Sequence, residues 1–179
     1  NPKNKWLIGK TLLKDSMSNG ELSNAFNEDT KHNVNLTFTP DGNRVYFSNC
    51  DNANFSEIRC ELYYRDVMPD GTLGAAVRVP DPVNISGYTS TQPTIGRVDG
   101  LNKTILFFTS DRPGGVGKED IWYVEVNGNS YGTPINAKDL NTIDAEATPF
   151  FHQNSQTLYF SSFGLKGFGG YDIYKTSFT

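Results

Sequence analysis

At 179 residues with a formal net charge of −4 and an isoelectric point near 5.1, the chain has room for one sizeable core but no clustered Lys and Arg for a nucleic-acid surface. Mean hydropathy is −0.50 and no apolar run approaches the length of a membrane span, so neither a nucleic-acid partner nor membrane insertion of this region is expected. Aromatic residues make up 13% of a chain that holds 17 Gly and 9 Pro, a mixture that suits short strands joined by tight turns and predicts an all-β fold.

In chain order, the opening NPKNK is polar and carries no apolar signal segment, so a targeting peptide, if one existed, is expected to have been removed. KWLIGKTLLKD reads as the third strand of a unit that precedes the rest. LLKDSMSNGELSNAF is the only stretch with a period near 3.6, and Asn19-Gly20 interrupts it, so no long helix is expected.

From there the chain repeats itself. A β-rich run ending in an aromatic-polar step occurs as RVYFSN (Arg44 to Asn49), ILFFTSD (Ile105 to Asp111) and TLYFSS (Thr157 to Ser162). After a loop, each run meets an acidic-aliphatic-aromatic triplet: Glu61-Leu62-Tyr63, Asp120-Ile121-Trp122 and Asp172-Ile173-Tyr174. Turns with Gly at Asn19-Gly20, Asp70-Gly71 and Asn127-Gly128 suit hairpin reversals. An Asn-centred loop follows, with Asn27, Asn84 and Asn141 spaced 57 residues apart, leading into Gln92-Pro93 or Thr148-Pro149. The predicted unit has four antiparallel strands: one after the Pro position (LTFT, PTIG, PFFH), the aromatic-polar strand, the triplet strand, and one after the Gly turn.

Such units fit the blades of a β-propeller better than a sandwich or a solenoid. Inner strands such as VYFS and ILFF are apolar without clean alternation, as expected of a sheet packed on both faces. The chain divides as the end of a preceding blade (1–33), blades over 34–90 and 91–147, and an incomplete blade over 148–179, together a partial propeller. A longer protein is the expectation.

The segments FTPDGNRVYFSN, FFTSDRPGGVGKEDIWYVEVNG, LNTIDAEATPFF and LYFSSFGLKGFGGYDIY resemble the WD-repeat-like, TolB-type propeller repeats, in the version found in Bacteroidetes OmpA-family outer-membrane-associated proteins. The resemblance runs from Glu21 to Phe178. It implies a periplasmic or cell-surface, outer-membrane-associated scaffold. The first copy departs from the pattern, with CDNANFSEIRC in place of a Gly-rich loop and Glu61 in place of Asp.

The Gly-rich loops DRPGGVGKED and FGLKGFGGYD are followed by strands, whereas a phosphate cradle requires a helix, so they are assigned to turn geometry. Asp111, Asp120 and Asp172 are expected to accept backbone N–H bonds around the reversal, with Arg112 pairing with one of these acids. Asn84 and Asn141 are structural by the same repetition. The acidic pairs Glu119-Asp120 and Asp144/Glu146 are all that a carbohydrate hydrolase would require, which makes a propeller-fold hydrolase the alternative function. Asp120, however, belongs to the repeat, and no GxSxG or HExxH motif occurs. His32 and His152 stand alone, and Asp51 to Asn54 reads as a solvated turn rather than a calcium loop. No cofactor and no metal are assigned.

Cys50 and Cys60 end one strand and begin its antiparallel neighbour, so a disulfide across that hairpin is predicted, and with it an oxidising compartment. Strand order puts the long loops on one face: residues 50–60, 111–120 and 163–171 between second and third strands, and 27–33, 84–92 and 141–148 between units. The function expected is non-catalytic binding of a cell-envelope protein or glycan at that face, through residues that depart from the repeat: His32, Tyr88, Arg112, Lys118 and Phe168.

Overall fold

The computed structural model describes residues 9–10, 21–22, 26, 31–52 and 58–177, and these form an all-β chain of antiparallel sheets. A two-residue pair, β1 (Gly9–Lys10) and β2 (Glu21–Leu22), comes first. The first full sheet has the order β3 (His32–Phe38), β4 (Arg44–Asn52), β5 (Ile58–Asp66), β6 (Val77–Arg78). The second runs β7 (Ser90–Val98), β8 (Lys103–Ser110), β9 (Asp120–Asn127), and its outer edge is shared by β10 (Ser130–Tyr131) and β11 (Ile135–Asn136). The third is β12 (Glu146–His152), β13 (Thr157–Ser162), β14 (Asp172–Ser177). Most of the N-terminal stretch read as a strand, and the interrupted 3.6-period segment, lie outside the described residues.

The strands after the Pro position begin earlier than LTFT, PTIG and PFFH suggest. They start at His32, Ser90 and Glu146, and the second and third run through Pro93 and Pro149. What accommodates Pro93 and Pro149 is a bulge at one place in each first strand, between Val34 and Thr37, Thr91 and Thr94, and Ala147 and Phe150. Its first residue is left-handed each time: Asn35 at φ 52°, Gln92 at 54° and Thr148 at 50°. A bulge frees a backbone donor, and here the donor reaches the preceding sheet. The Gln92 N–H is donated to Ser48 Oγ at 2.9 Å, and the Thr148 N–H to Gln92 Oε1 at 2.6 Å. Further along, Phe151 N–H is donated to Thr94 Oγ1 at 3.0 Å.

The core lies between successive sheets. Tyr46, Leu62 and Tyr64 of the first, with Val79 and Val83 that follow it, pack against Ile95, Leu106, Phe108, Trp122 and Val124 of the second. Phe107 and Ile105 of the second, with Leu140, pack against Phe151 and Leu158 of the third. Phe107 stacks on Phe151 with ring centroids 5.6 Å apart. Because the middle sheet is covered on both faces, β8 is buried continuously from Ile105 to Ser110, whereas β13 alternates.

The spaced asparagines hold the fourth-strand positions. Asn84 Oδ1 accepts the Leu62 N–H at 2.8 Å, and its Nδ2 donates to Leu62 O and Val79 O at 2.8 and 2.7 Å. Asn141 repeats this on Ile121, with 2.8 Å from the N–H and 2.9 Å to the carbonyl, and adds Asn136 Oδ1 at 3.0 Å. Leu62 and Ile121 occupy one register position, opposite Ser48 and Thr109. Asn27 lies outside the described residues. Asn84→Ala strands the buried Leu62 N–H, whose carbonyl keeps the Val79 N–H at 2.9 Å, and removes the donor to Val79 O, so it is expected to cost about 3 kcal/mol, on the scale of unsatisfied buried groups. Urea unfolding of Asn84→Ala and Asn141→Ala checks this, with similar losses at both positions as the expected outcome.

Candidate functional site

Asp120 and Asp172 open β9 and β14 opposite Ser110 and Ser162. Each carboxylate takes backbone donors from the loop before it. Asp120 accepts from Val116 and, at 3.1 Å, from Gly117, while Asp172 accepts from Phe168 at 2.7 Å and Gly169 at 3.2 Å. The loops can close this tightly because of one glycine in each. A Cβ on Gly115 would lie 2.3 Å from Asp120 Oδ2, and one on Gly167 would lie 1.9 Å from Asp172 Oδ2.

In the first sheet the same position is Glu61, opposite Asn49. Arg78 donates to it through Nε at 3.0 Å and Nη2 at 2.8 Å. One rung further, Cys50 and Cys60 form a disulfide, a bond that forms and persists in oxidising compartments. In the second sheet Asn136 stands where Arg78 does and donates to Asp120 at 2.8 Å.

Asp111 differs from the other two acids. It joins two long loops, accepting the Thr89 N–H at 2.6 Å and an ion pair from Arg59 at 3.1 Å.

The residues expected to contact a partner do not converge. Arg112 requires correction on two counts: it is buried at 5% exposure and pairs with no acid. Its guanidinium spans the connection before the second sheet, donating to Pro82 O at 2.9 Å, to Val83 O, and to Ser90 and Ser110 Oγ at 2.9 and 3.0 Å. It lies over the Phe108 and Trp122 rings. Burial lowers its pKa to about 10, with the Asp111 charge pulling the other way, so it stays cationic at neutral pH. His32 also requires correction, since it is a half-buried residue of β3 paired with Cys50 and not a loop tip. Tyr88 and Phe168 are exposed, and Lys118 is an exposed cation 3.3 Å from Asp144.

The loops instead build a cleft of about 460 Å³ beside these residues. Ile58 and Arg59 come from the first sheet. Thr89, Thr91, Gln92, Thr109, Asp111 and Glu119 come from the second and its approach, and Ala147 and Tyr171 from the third. Arg59, Glu119 and Tyr171 carry no mark in the repeat, so nothing in the sequence draws them together. Their one shared signal is position, next to a triplet acid or a cysteine. Among the described residues no helix is long and apolar enough to cross a membrane. No protein-family model matches the chain, and no curated protein is similar to it.

Two outcomes follow. Gly115→Ala and Gly167→Ala are each expected to displace the adjacent carboxylate and lower stability by about 1–3 kcal/mol, as for overpacking at a tight site, read by thermal unfolding. Arg112→Met leaves the Pro82 carbonyl without its donor, while Val83 O keeps the Ser90 hydroxyl at 2.9 Å, and is expected to cost about 2–4 kcal/mol, since hydrogen bonds to charged groups are the stronger ones. Its cleft should keep the same ligand affinity in titration, because Arg112 does not line it.

Proposed function

We propose that the three sheets are blades of a β-propeller built on a four-stranded plan, the third of them incomplete, of the TolB-type, WD-repeat-like kind, in an exported cell-envelope protein. The propeller acts as a non-catalytic binding module whose long-loop face takes a protein or glycan partner. Support for the blades comes from the repeated bulge and its hydrogen bond into the preceding sheet, which bring β3, β7 and β12 side by side as innermost strands. The disulfide supports an oxidising location, and the periplasm or outer cell surface is the compartment proposed.

The observation that carries the binding reading is where the carboxylates go. Asp120 and Asp172 are occupied by loop amides, Glu146 by Thr142 and Ser162, and Asp111 by Arg59 and Thr89. A glycosidase needs two carboxyl groups placed to exchange protons with substrate. Glu119 alone lines the cleft without a hydrogen bond or ion pair among the described residues.

The test compares the two faces of the same protein. Binding to solubilised cell-envelope material, captured on a sensor surface, is expected to fall at least about tenfold, the effect of losing one good contact, for Tyr88→Ala with Lys118→Ala. It is expected to stay unchanged for Asp70→Ala with Asn129→Ala in the short turns. The opposite pattern places the binding face on the wrong side. Release of reducing sugar by the wild type, abolished in Glu119→Gln, overturns the non-catalytic assignment.

A further inference from the structure

The chemistry lining the long-loop cleft is specific enough to name a ligand class. One wall is aromatic: Tyr171 is 56% exposed and its ring meets Phe163 edge-on with centroids 5.5 Å apart, so the ring is held while keeping open area. Another is an ion pair, Arg59 with Asp111 at 3.1 Å, both about one-third exposed at 35% and 30%. The Gln92 amide is pinned through its oxygen, which accepts the Thr148 N–H at 2.6 Å and the Thr109 hydroxyl at 3.2 Å. Its NH₂ has no partner among the described residues. The Glu119 carboxylate, as noted, is also unpaired.

The cleft therefore offers a fixed amide donor, a free carboxylate acceptor, threonine hydroxyls and an open aromatic ring. Each of these discriminates. An anion would face Glu119 and Asp111 with the one lining cation, Arg59, already neutralised. An apolar ligand would strand the amide and the carboxylate without partners, which is costly. A sugar satisfies all of them at once: neighbouring hydroxyls donate to a carboxylate and accept from an amide, and the C–H face of the ring packs on an aromatic side chain. A volume of about 460 Å³ falls within the range of small-ligand sites. We propose that this cleft binds an uncharged oligosaccharide, with Tyr171 as the stacking platform and Glu119 and Gln92 reading adjacent hydroxyls. The proposal rests on the long-loop face being the binding face and narrows its partner to one chemical class.

The experiment uses the whole chain with cellotetraose, maltotetraose and chitotetraose as neutral probes, tetragalacturonate as the anionic probe and pentalysine as the cationic one. Binding is followed by isothermal titration and by amide shifts in NMR spectra. At least one neutral tetrasaccharide is expected to bind, with shifts at Thr91, Gln92, Glu119 and Tyr171, and tetragalacturonate to bind less well or not at all. Tyr171→Ala, at an exposed position, is expected to weaken that binding about tenfold, the scale of one aromatic contact, with an unchanged unfolding midpoint. Glu119→Gln is expected to weaken the neutral probe and to improve tetragalacturonate relative to it.

Silence from all three neutral probes, preferential binding of tetragalacturonate or pentalysine, or wild-type affinity in Tyr171→Ala overturns the proposal. If the neutral probes are silent while envelope material still binds through Tyr88 and Lys118, the saccharide assignment falls and the binding face stands. If the probes bind with the expected shifts and that double variant leaves envelope binding intact, the saccharide site stands and Tyr88 and Lys118 drop out of the binding face.

Discussion

An asparagine side chain carries an amide, and an amide can complete a β-ladder without any strand. That substitution underlies this architecture. Asn84 and Asn141 each close both backbone groups of a third-strand residue, Leu62 and Ile121, at the level where the outer strand has only two paired residues, β6 or β11. A two-residue strand is a weak edge on its own. With the asparagine in place, the chain can leave the outer edge at once and cross to the next first strand. It carries Val83 or Leu140 into the space between sheets as it goes. The spacing of the units follows from that clamp, and so does the burial of the middle sheet on both faces.

Much of this was legible from the residues. Repetition exposed the second and third strands, the spaced asparagines and the paired roles of Asp120 and Asp172, because each is a side-chain identity returning in register, and the cysteine pair was legible from its place at the two ends of one hairpin. The bulges were not legible. Asn35, Gln92 and Thr148 share a backbone conformation but no one residue type, so the sequence pattern marks only the later part of each strand, from Leu36, Pro93 and Pro149. A residue in the left-handed region is usually signalled by Gly or Asn, and Thr148 breaks that expectation because its freed N–H is taken up by Gln92.

Arg112 shows a second limit. In the sequence it is a charged residue inside a Gly-rich loop, which reads as exposed. In three dimensions its long side chain finds the carbonyls of Pro82 and Val83, 30 and 29 positions away in the chain, and lies over the rings of Phe108 and Trp122. Breaks in a repeat mark either a surface feature or a local repair of packing, and side-chain reach decides between them. The cleft residues escaped for a related reason. Arg59, Glu119 and Tyr171 stand in three different units, and the sheets that carry them are joined by the hydrogen bonds that the bulged first strands make to the preceding sheet.

The first unit secures its loop by means unlike the other two. Where Gly115 and Gly167 are held to their identity by an adjacent carboxylate, the chain between Cys50 and Cys60 is tied at its ends by a covalent bond, with Glu61 satisfied from outside by Arg78. The acid at this position is held by a side chain from the far edge of its sheet. That segment is thereby released from the constraint that governs its counterparts, and it can accumulate changes in length and composition while the strands on either side keep their register. Among the three loops between second and third strands, it is the position from which a new specificity can evolve at the least cost to the fold.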